Sequence, residues 1–509
     1  MLNNQNKRVL KNTLILYVRQ IFLTLISLYT LRLILNGLGV DSYGIYTVVA
    51  GIVGLASFLP GAMSSATQRY FSFALGRKDQ VALTKIFSVN LLIYVAICVL
   101  ALAVLESAGL WFVHEALNIP KEHAEVAKLL YQISILTFIS SLLASPFMSI
   151  LIAHEEIDIF LYVSIYEAVA KLAAAITITF TSWEKLTTYG TAIFFASATT
   201  TLIYLIVCKK RYPACTFKCS MLDRATFKEI LSFTGWTLFG QLTTVARNQA
   251  VTILLYQTFN PAVAAARAIA TTVASQVTVF SNNLNTSLYP PIIKYYSTGQ
   301  REEMFSVIIW GSKLTFFLMW VFALPLYLEM ETVLQIWLAT PPPKAVSFSQ
   351  LALIEAVIMT ISLPLATAAR APGRMRKYEL ALGTIQLLIL VASWAMLSMG
   401  QPAESVFLVA IAANVLMFFI RLIIVSALIG LGVSLFLKKV ALPVLLVAIS
   451  SSVPVAIVKA TLPSNHLSAG FVVLLSMLTS AALMFYLGFD ATTRQRLKEQ
   501  IKAKIPLQS

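Results

Sequence analysis

Stretches of about twenty apolar residues recur from end to end of this chain, and no other feature constrains its fold as strongly. A helix of about 20 such residues crosses the ~30 Å hydrocarbon core of a bilayer. Inside that core each backbone N–H and C=O must find a partner within the structure, which a helix provides and an irregular segment does not. Only 12% of the 509 residues are charged and 58% are hydrophobic, whereas soluble domains carry roughly 25% charge. The mean hydropathy of +0.81 agrees. The formal charge is +16, yet the cations lie between apolar runs rather than on one solvated face, which excludes a nucleic-acid binder. Continuous runs also exclude a β-barrel, whose strands are alternating segments of about 10 residues. The expected fold is an all-α polytopic membrane protein.

About fourteen transmembrane helices are expected, near 12–36, 43–75, 82–106, 124–152, 158–181, 189–208, 229–258, 262–293, 305–328, 348–370, 379–400, 405–429, 440–460 and 468–489. The first run is far longer than a signal-peptide core, so it reads as a permanent span. Runs 43–75 and 262–293 exceed the bilayer; they are expected to continue into the cytosol, or to kink at Pro60 and near Pro290-Pro291.

Cation placement orients the spans. With the amino terminus in the cytoplasm, about 25 Lys and Arg fall in inside segments, from Lys7, Arg8 and Lys11 through Lys209–Arg211 to Arg494–Lys504. Only about four, Lys121, Lys128, Lys185 and Lys344, fall outside. Both termini are therefore expected in the cytoplasm. The inside loop His154-Glu155-Glu156 runs against the pattern. No loop exceeds roughly twenty residues and no GxxxxGK[ST] phosphate loop is present, so ATP bound by this chain does not supply energy.

The layout repeats at an offset of about 223 residues, with Asp41-Ser-Tyr-Gly-Ile-Tyr opening span two and Ala264-Ala-Ala-Arg-Ala-Ile opening span eight. Six spans per repeat make the halves parallel, related by a pseudo-two-fold axis along the membrane normal, with substrate expected between them. The expected organisation is an N-lobe at 1–208, a basic linker at 209–228, a C-lobe at 229–430, two further helices at 431–489 and a basic tail at 490–509.

Ionisable groups inside spans carry the functional information, because a cation at a helix centre costs about 2.5–3.5 kcal/mol or more. Arg32 and Arg69 lie near span ends and are expected to snorkel. Glu167 and Lys171, four apart, are expected to pair. Arg19, Arg247 and Arg267 lie deeper, in the opening helices of the two halves, with few acids nearby. A cationic set of this kind implies an anionic guest, and the planar guanidinium grips phosphate with two parallel hydrogen bonds. Lys313 and Arg421 are further candidates. Polar neighbours Asn248 and Gln249, with Asn282, Asn283 and Asn285, are candidates for glycan contacts. Glu355 is the one credible carboxylate for holding a coupling cation; its plainer reading is a partner for a neighbouring Arg.

The remaining features are plainer. Cys98, Cys208, Cys215 and Cys219 lack nearby His and are expected as reduced thiols, with no metal site. Trp111, Trp183 and Trp337 suit an interfacial belt, Pro341-Pro342-Pro343 a stiff external loop, and Asp490–Lys504 a basic helix on anionic headgroups.

Asn12-Thr-Leu-Ile-Leu-Tyr-Val-Arg-Gln, Leu28-Tyr-Thr-Leu-Arg and Leu38-Gly-Val-Asp-Ser-Tyr-Gly-Ile-Tyr resemble the amino-terminal pattern of Wzx-type polysaccharide flippases. Phe233-Thr-Gly-Trp-Thr-Leu-Phe-Gly, Arg247-Asn-Gln and Ala265-Ala-Arg-Ala-Ile-Ala are similar to that family's seventh and eighth helices. The family belongs to the multidrug/oligosaccharidyl-lipid/polysaccharide exporter (MOP) superfamily. The resemblance covers most of residues 1–430 and implies two six-helix lobes around a cationic cavity. It further implies movement of undecaprenyl-diphosphate-linked oligosaccharide to the periplasmic leaflet of a bacterial inner membrane, for cell-surface polysaccharide or lipopolysaccharide. Arg19 and Arg267 match positions where related flippases carry cavity arginines. The sodium-site carboxylate that some relatives carry in span seven has no match here.

Partners implied are the lipid-linked glycan, anionic lipids, and glycan polymerase or ligase machinery. No cofactor is expected, and the coupling gradient, Na⁺ or H⁺, stays open. The rival readings are a MATE-like cation or drug antiporter using Glu355, and a membrane enzyme such as a glycosyltransferase, which needs a larger external loop than this chain offers.

Overall fold

The computed structural model describes residues 4–38, 46, 49–54, 56–111, 124–181, 184–259, 261–338, 340–463, 465–489 and 494–495. Lys11–Gln241 form one compact unit, and Leu242–Ser509 with Met1–Leu10 form the other. The first contains α1 (Asn4–Leu38) from Lys11 on, α2 (Phe58–Gly76), α3 (Gln80–Val104), α4 (Ala124–Ala153), α5 (Ile157–Phe180) and α6 (Lys185–Arg211). The helix α7 (Arg224–Thr258) contains the division, and α8 (Pro261–Ser297), α9 (Arg301–Leu328), α10 (Met330–Leu338), α11 (Ala345–Thr360), α12 (Leu363–Arg370), α13 (Arg376–Ser398) and α14 (Ser405–Ile429) follow. Two more helices complete the described chain, α15 (Val433–Thr461) and α16 (His466–Leu483).

Eleven helices among the described residues are long and apolar enough to span a membrane, and the bent pair α11–α12 makes a twelfth. Of the other two expected spans, α1 contributes the shorter apolar stretch Ile15–Ser27, and α7 is interrupted by Thr, Gln and Arg residues. These two helices carry Arg19 and Arg247. The outward faces of α13 to α16 are apolar, with Leu388, Val391, Ile449 and Leu474 exposed. In a membrane that surface meets lipid.

Proline decides where two spans break. Pro60 has no N–H to offer the carbonyl of Ala56, and that carbonyl instead accepts from Leu59 N at 3.0 Å. The run from Val49 turns at Ala56-Ser57 and α2 restarts at Phe58. Span ten, expected as one helix over 348–370, is likewise two helices bent by 42°. Pro364 sits in the first turn of α12 and leaves the Thr360 carbonyl without its helical donor, and Thr315 Oγ1 fills the place at 2.9 Å. The same chemistry does not break α8, which runs as one helix through Pro290 and Pro291. The segment after α9 also holds a short helix, α10, which buries Met330 and Leu334.

Small polar residues join the helices, as expected where lipid removes the hydrophobic drive for association. Ser64 and Ser149 share a 2.6 Å hydrogen bond between α2 and α4, and Tyr94 Oη lies within hydrogen-bond distance of Thr67 and Ser145. In the second unit Ser281 Oγ donates to Thr315 O at 2.7 Å. The α4–α5 turn places Glu155 at φ 64°, and Glu156 pairs with Arg211 at 2.9 Å. That pair balances one of the two acids of this turn. Asp223 caps α7 by accepting from Thr226 N at 3.0 Å, and Lys85, 2.7 Å away, holds its carboxyl well below the usual carboxylate range.

Lys313 is buried on α9 and donates to Gly488 O at 3.1 Å, beyond the end of α16. Gly488 lies against the Phe317 ring so closely that a Cβ there would run into it. Gly488→Ala is expected to destabilise the protein by about 1–3 kcal/mol through overpacking. A lowered unfolding temperature in detergent checks this; an unchanged one shows that Phe317 yields freely. The basic tail 490–509 lies outside the described residues apart from Arg494 and Gln495, as do Trp183 and the side chain of Arg32. Trp111 and Trp337 are both exposed.

Candidate functional site

In the second unit, Arg247, Glu355 and Asn414 come from α7, α11 and α14. Counted from the helix ends at Thr258, Ala345 and Ser405, each lies about 14–17 Å along its helix at 1.5 Å per residue. Arg247 Nη1 donates to Glu355 Oε1 at 3.1 Å and Nη2 to Asn248 Oδ1 at 2.7 Å. Asn414 Nδ2 donates to the same Oε1 at 3.0 Å. The Arg247 and Glu355 side chains are 9% and 15% exposed. Arg247 is thus paired, which corrects the expectation of a wholly uncompensated set and realises the plainer reading of Glu355.

Arg267, 6% exposed, lies within electrostatic range of both Arg247 and Glu355. Its Nε donates to Thr252 Oγ1 at 3.2 Å, and its guanidinium stands 5.3 Å from the centre of the Phe407 ring. Thr252 is one helical turn from Asn248, whose carbonyl its hydroxyl bonds in turn. Neither Nη of Arg267 meets an acceptor among the described residues. Two guanidiniums and one carboxylate leave this cluster with a net positive charge. Gln249 is exposed on α7.

In the first unit, Arg19 lies along a cavity of about 470 Å³ lined also by Thr30, Ser164, Glu167, Lys171 and Tyr189. Its guanidinium stacks 4.4 Å from the centre of Phe160. Arg19 Nε and Thr30 Oγ1 are buried with no hydrogen-bond partner among the described residues. Glu167 is committed to Lys171 at 2.6 Å, as their spacing predicts. The pocket therefore offers a guanidinium without a hydrogen-bonded counter-ion.

Arg69 does not snorkel. It is 5% exposed on α2, 4.3 Å from the centre of Tyr70 and 5.4 Å from that of Phe233, and 3.8 Å from Glu229. Stacking between aromatic faces holds the charge inside the unit. Arg421 does not join the Arg247 cluster either. Its Nη1 donates to Ser362 Oγ at the α11–α12 bend, and Glu379, 8% exposed, is within electrostatic range of Arg370 and Arg421. Asn285 accepts from Thr367 Oγ1 at 3.3 Å and Asn283 Nδ2 is buried without a partner among the described residues, while Asn282 is exposed.

Sequence reasoning passed over Asn414, Thr252, Phe407 and Glu379. Asn414 and Glu379 carried a signal, a polar or acidic residue in an apolar run. Thr252 and Phe407 carried none, because each is an ordinary residue for its helix.

A family model described as "Polysaccharide biosynthesis protein" matches residues 9–296. No curated protein matches the chain. Among solved structures the chain is similar to a mutant of MATE, with a TM-score of 0.73 and 12% identity over 83% of this chain and 97% of that one. It is similar to a multidrug resistance MATE family transporter of the MOP superfamily in an outward-facing conformation, with a TM-score of 0.69 and 14% identity over 84% of this chain and 97% of that one. A third is a MOP superfamily transporter from Pyrococcus furiosus with a binding pocket of reversed polarity, at a TM-score of 0.66 and 13% identity over 83% of this chain and 96% of that one. At these identities the likeness establishes the fold.

Proposed function

Since this chain belongs to the polysaccharide biosynthesis protein family, we propose that it is a transporter that moves undecaprenyl-diphosphate-linked oligosaccharide from the cytoplasmic to the periplasmic leaflet of a bacterial inner membrane. The observation that carries this reading is Arg267, a guanidinium buried at depth with its Nη fork unengaged among the described residues. Arg19 supports it with a buried Nε that has no acceptor among them. A diphosphate taken out of water without cations would carry a desolvation penalty far above any binding gain. Guanidiniums held in place by aromatic faces and single hydrogen bonds accept such a group with little rearrangement.

The headgroup and glycan enter from the cytoplasm while the polyprenyl tail stays in lipid, and alternating access re-exposes the headgroup outside. With loops too short for a nucleotide domain, a gradient of Na⁺ or H⁺ is the proposed source of work. A cation antiporter of the same fold needs a carboxylate free to take its substrate. The charge of Glu355 is already balanced by Arg247, 3.1 Å from Oε1, which favours the anionic guest.

The test is the leaflet distribution of lipid-linked oligosaccharide in cells lacking this protein, with a periplasmic glycan-processing enzyme as reporter. Intact, unprocessed glycan on the cytoplasmic side is the expected result. Normal processing in a strain with no second flippase would overturn the reading.

A further inference from the structure

We propose that Glu355 is a resident counter-ion, held on Arg247 while the carrier is empty and displaced when the anionic headgroup arrives. The inference rests on the reading above that a diphosphate is the guest.

Both hydrogen bonds to Glu355 converge on one oxygen. Arg247 Nη1 and Asn414 Nδ2 reach Oε1 at 3.1 and 3.0 Å, and Oε2 takes none among the described residues. Arg and carboxylate bind most tightly fork to fork, through two parallel hydrogen bonds. Here the pair uses one, and the second Nη of Arg247 is turned to Asn248 Oδ1 at 2.7 Å. Arg247 Nε is buried with no partner among the described residues. The pair is therefore half made, and a phosphate group offering several oxygens satisfies Arg247 better than Glu355 does.

The charge balance points the same way. With Arg267 in range, the cluster holds two cations and one carboxylate. A diphosphate placed between the guanidiniums would repel Glu355, and Asn414 offers the displaced carboxylate a neutral donor already in contact. Asn414 is itself fixed, since Nδ2 also reaches Ala410 O at 2.9 Å.

A permanent counter-ion also has a purpose. The empty carrier must return with Arg247 still buried, where an unpaired cation is costly. Glu355 supplies the charge that the departed substrate supplied on the outward step. Removing it is expected to tighten headgroup binding and to slow turnover, a combination that loss of a simple binding residue does not produce.

The experiment measures farnesyl diphosphate binding to purified full-length protein in nanodiscs, for the wild type, Glu355→Gln, Arg267→Ala and the double variant. Glu355→Gln keeps an oxygen for Arg247 and Asn414 while removing the charge. It is expected to bind the probe about 5-fold tighter or more, within the usual 5–150-fold range of coupling between sites, and Arg267→Ala is expected to weaken binding in both backgrounds. Unchanged or weaker binding by Glu355→Gln, with Arg267→Ala still weakening it, would overturn the counter-ion role and leave the anion site standing. Insensitivity to both substitutions would remove the anion site and the counter-ion together. Glu355→Met, of similar length and uncharged, is read in the same way should Glu355→Gln fail to assemble; thermal unfolding and monodisperse elution establish which variants are folded.

Discussion

Replacing Arg19 and Arg267 together by Ala is expected to abolish flipping while the protein still inserts and folds. Neither side chain holds a hydrogen-bonded carboxylate. Arg267 has a hydrogen bond to Thr252 and the face of Phe407, and Arg19 has the face of Phe160. Truncation therefore strands no buried acid. The structural cost is a cation–π contact at each site, of order 0.5–2 kcal/mol, plus one ordinary hydrogen bond at Arg267 of about 1 kcal/mol. The functional cost is larger. Each lost hydrogen bond to a charged group is worth about 1.5–3 kcal/mol, so losing one at each arginine withdraws about 3–6 kcal/mol in total. At 1.36 kcal/mol per factor of ten, transport falls about 10²- to 10⁴-fold. Turnover of lipid-linked oligosaccharide in proteoliposomes, with the amount of inserted protein measured alongside, decides the matter. Failure to insert would show both arginines to be structural, and wild-type transport would remove them from the substrate path.

Arg247 is expected to behave in the opposite way. Replacing it with Leu removes one partner from a buried ion pair and leaves Glu355, 15% exposed, facing Asn414 alone. Breaking such a pair from one side costs about 3–5 kcal/mol, whereas replacing both members by apolar groups of similar volume is often neutral. Arg247→Leu should therefore lower the unfolding temperature sharply, and Arg247→Leu with Glu355→Leu should recover most of the loss. The double-mutant cycle in detergent measures the coupling directly. A single variant no less stable than the double would show that Glu355 reaches water or another donor without Arg247. Together the two experiments separate a guanidinium whose loss strands no acid from one whose loss leaves a buried carboxylate behind, a distinction that burial alone does not make: Arg247 and Arg267 are 8% and 6% exposed.

Much of this architecture is legible along the chain. Hydropathy over windows of bilayer length locates the spans, because the requirement that each span satisfy its own backbone is local. The Glu167–Lys171 pair follows from helical spacing alone and is present at 2.6 Å. The break at Pro60 and the one before Pro364 share one cause, a missing N–H and a ring that crowds the preceding turn. Pro364 was as visible as Pro60, but it lies within a run of ordinary length that gave no reason to look for a bend. Pro290-Pro291 shows the limit of the rule, since α8 continues through both.

What the sequence determined by itself was the membrane class, the helical spans and which ionisable residues lie inside them, all properties of consecutive residues in a 3.6-residue period. What only the tertiary structure decided was which of those groups meet. Glu355 finds Arg247 across 108 residues, and Arg69 lies by Glu229, stacked among aromatic rings, instead of reaching a headgroup. Arg421 donates to Ser362 at a bend. The physical reason is that hydropathy sets how deep a residue lies, whereas its partner depends on how each helix is rotated and on which distant helix packs beside it.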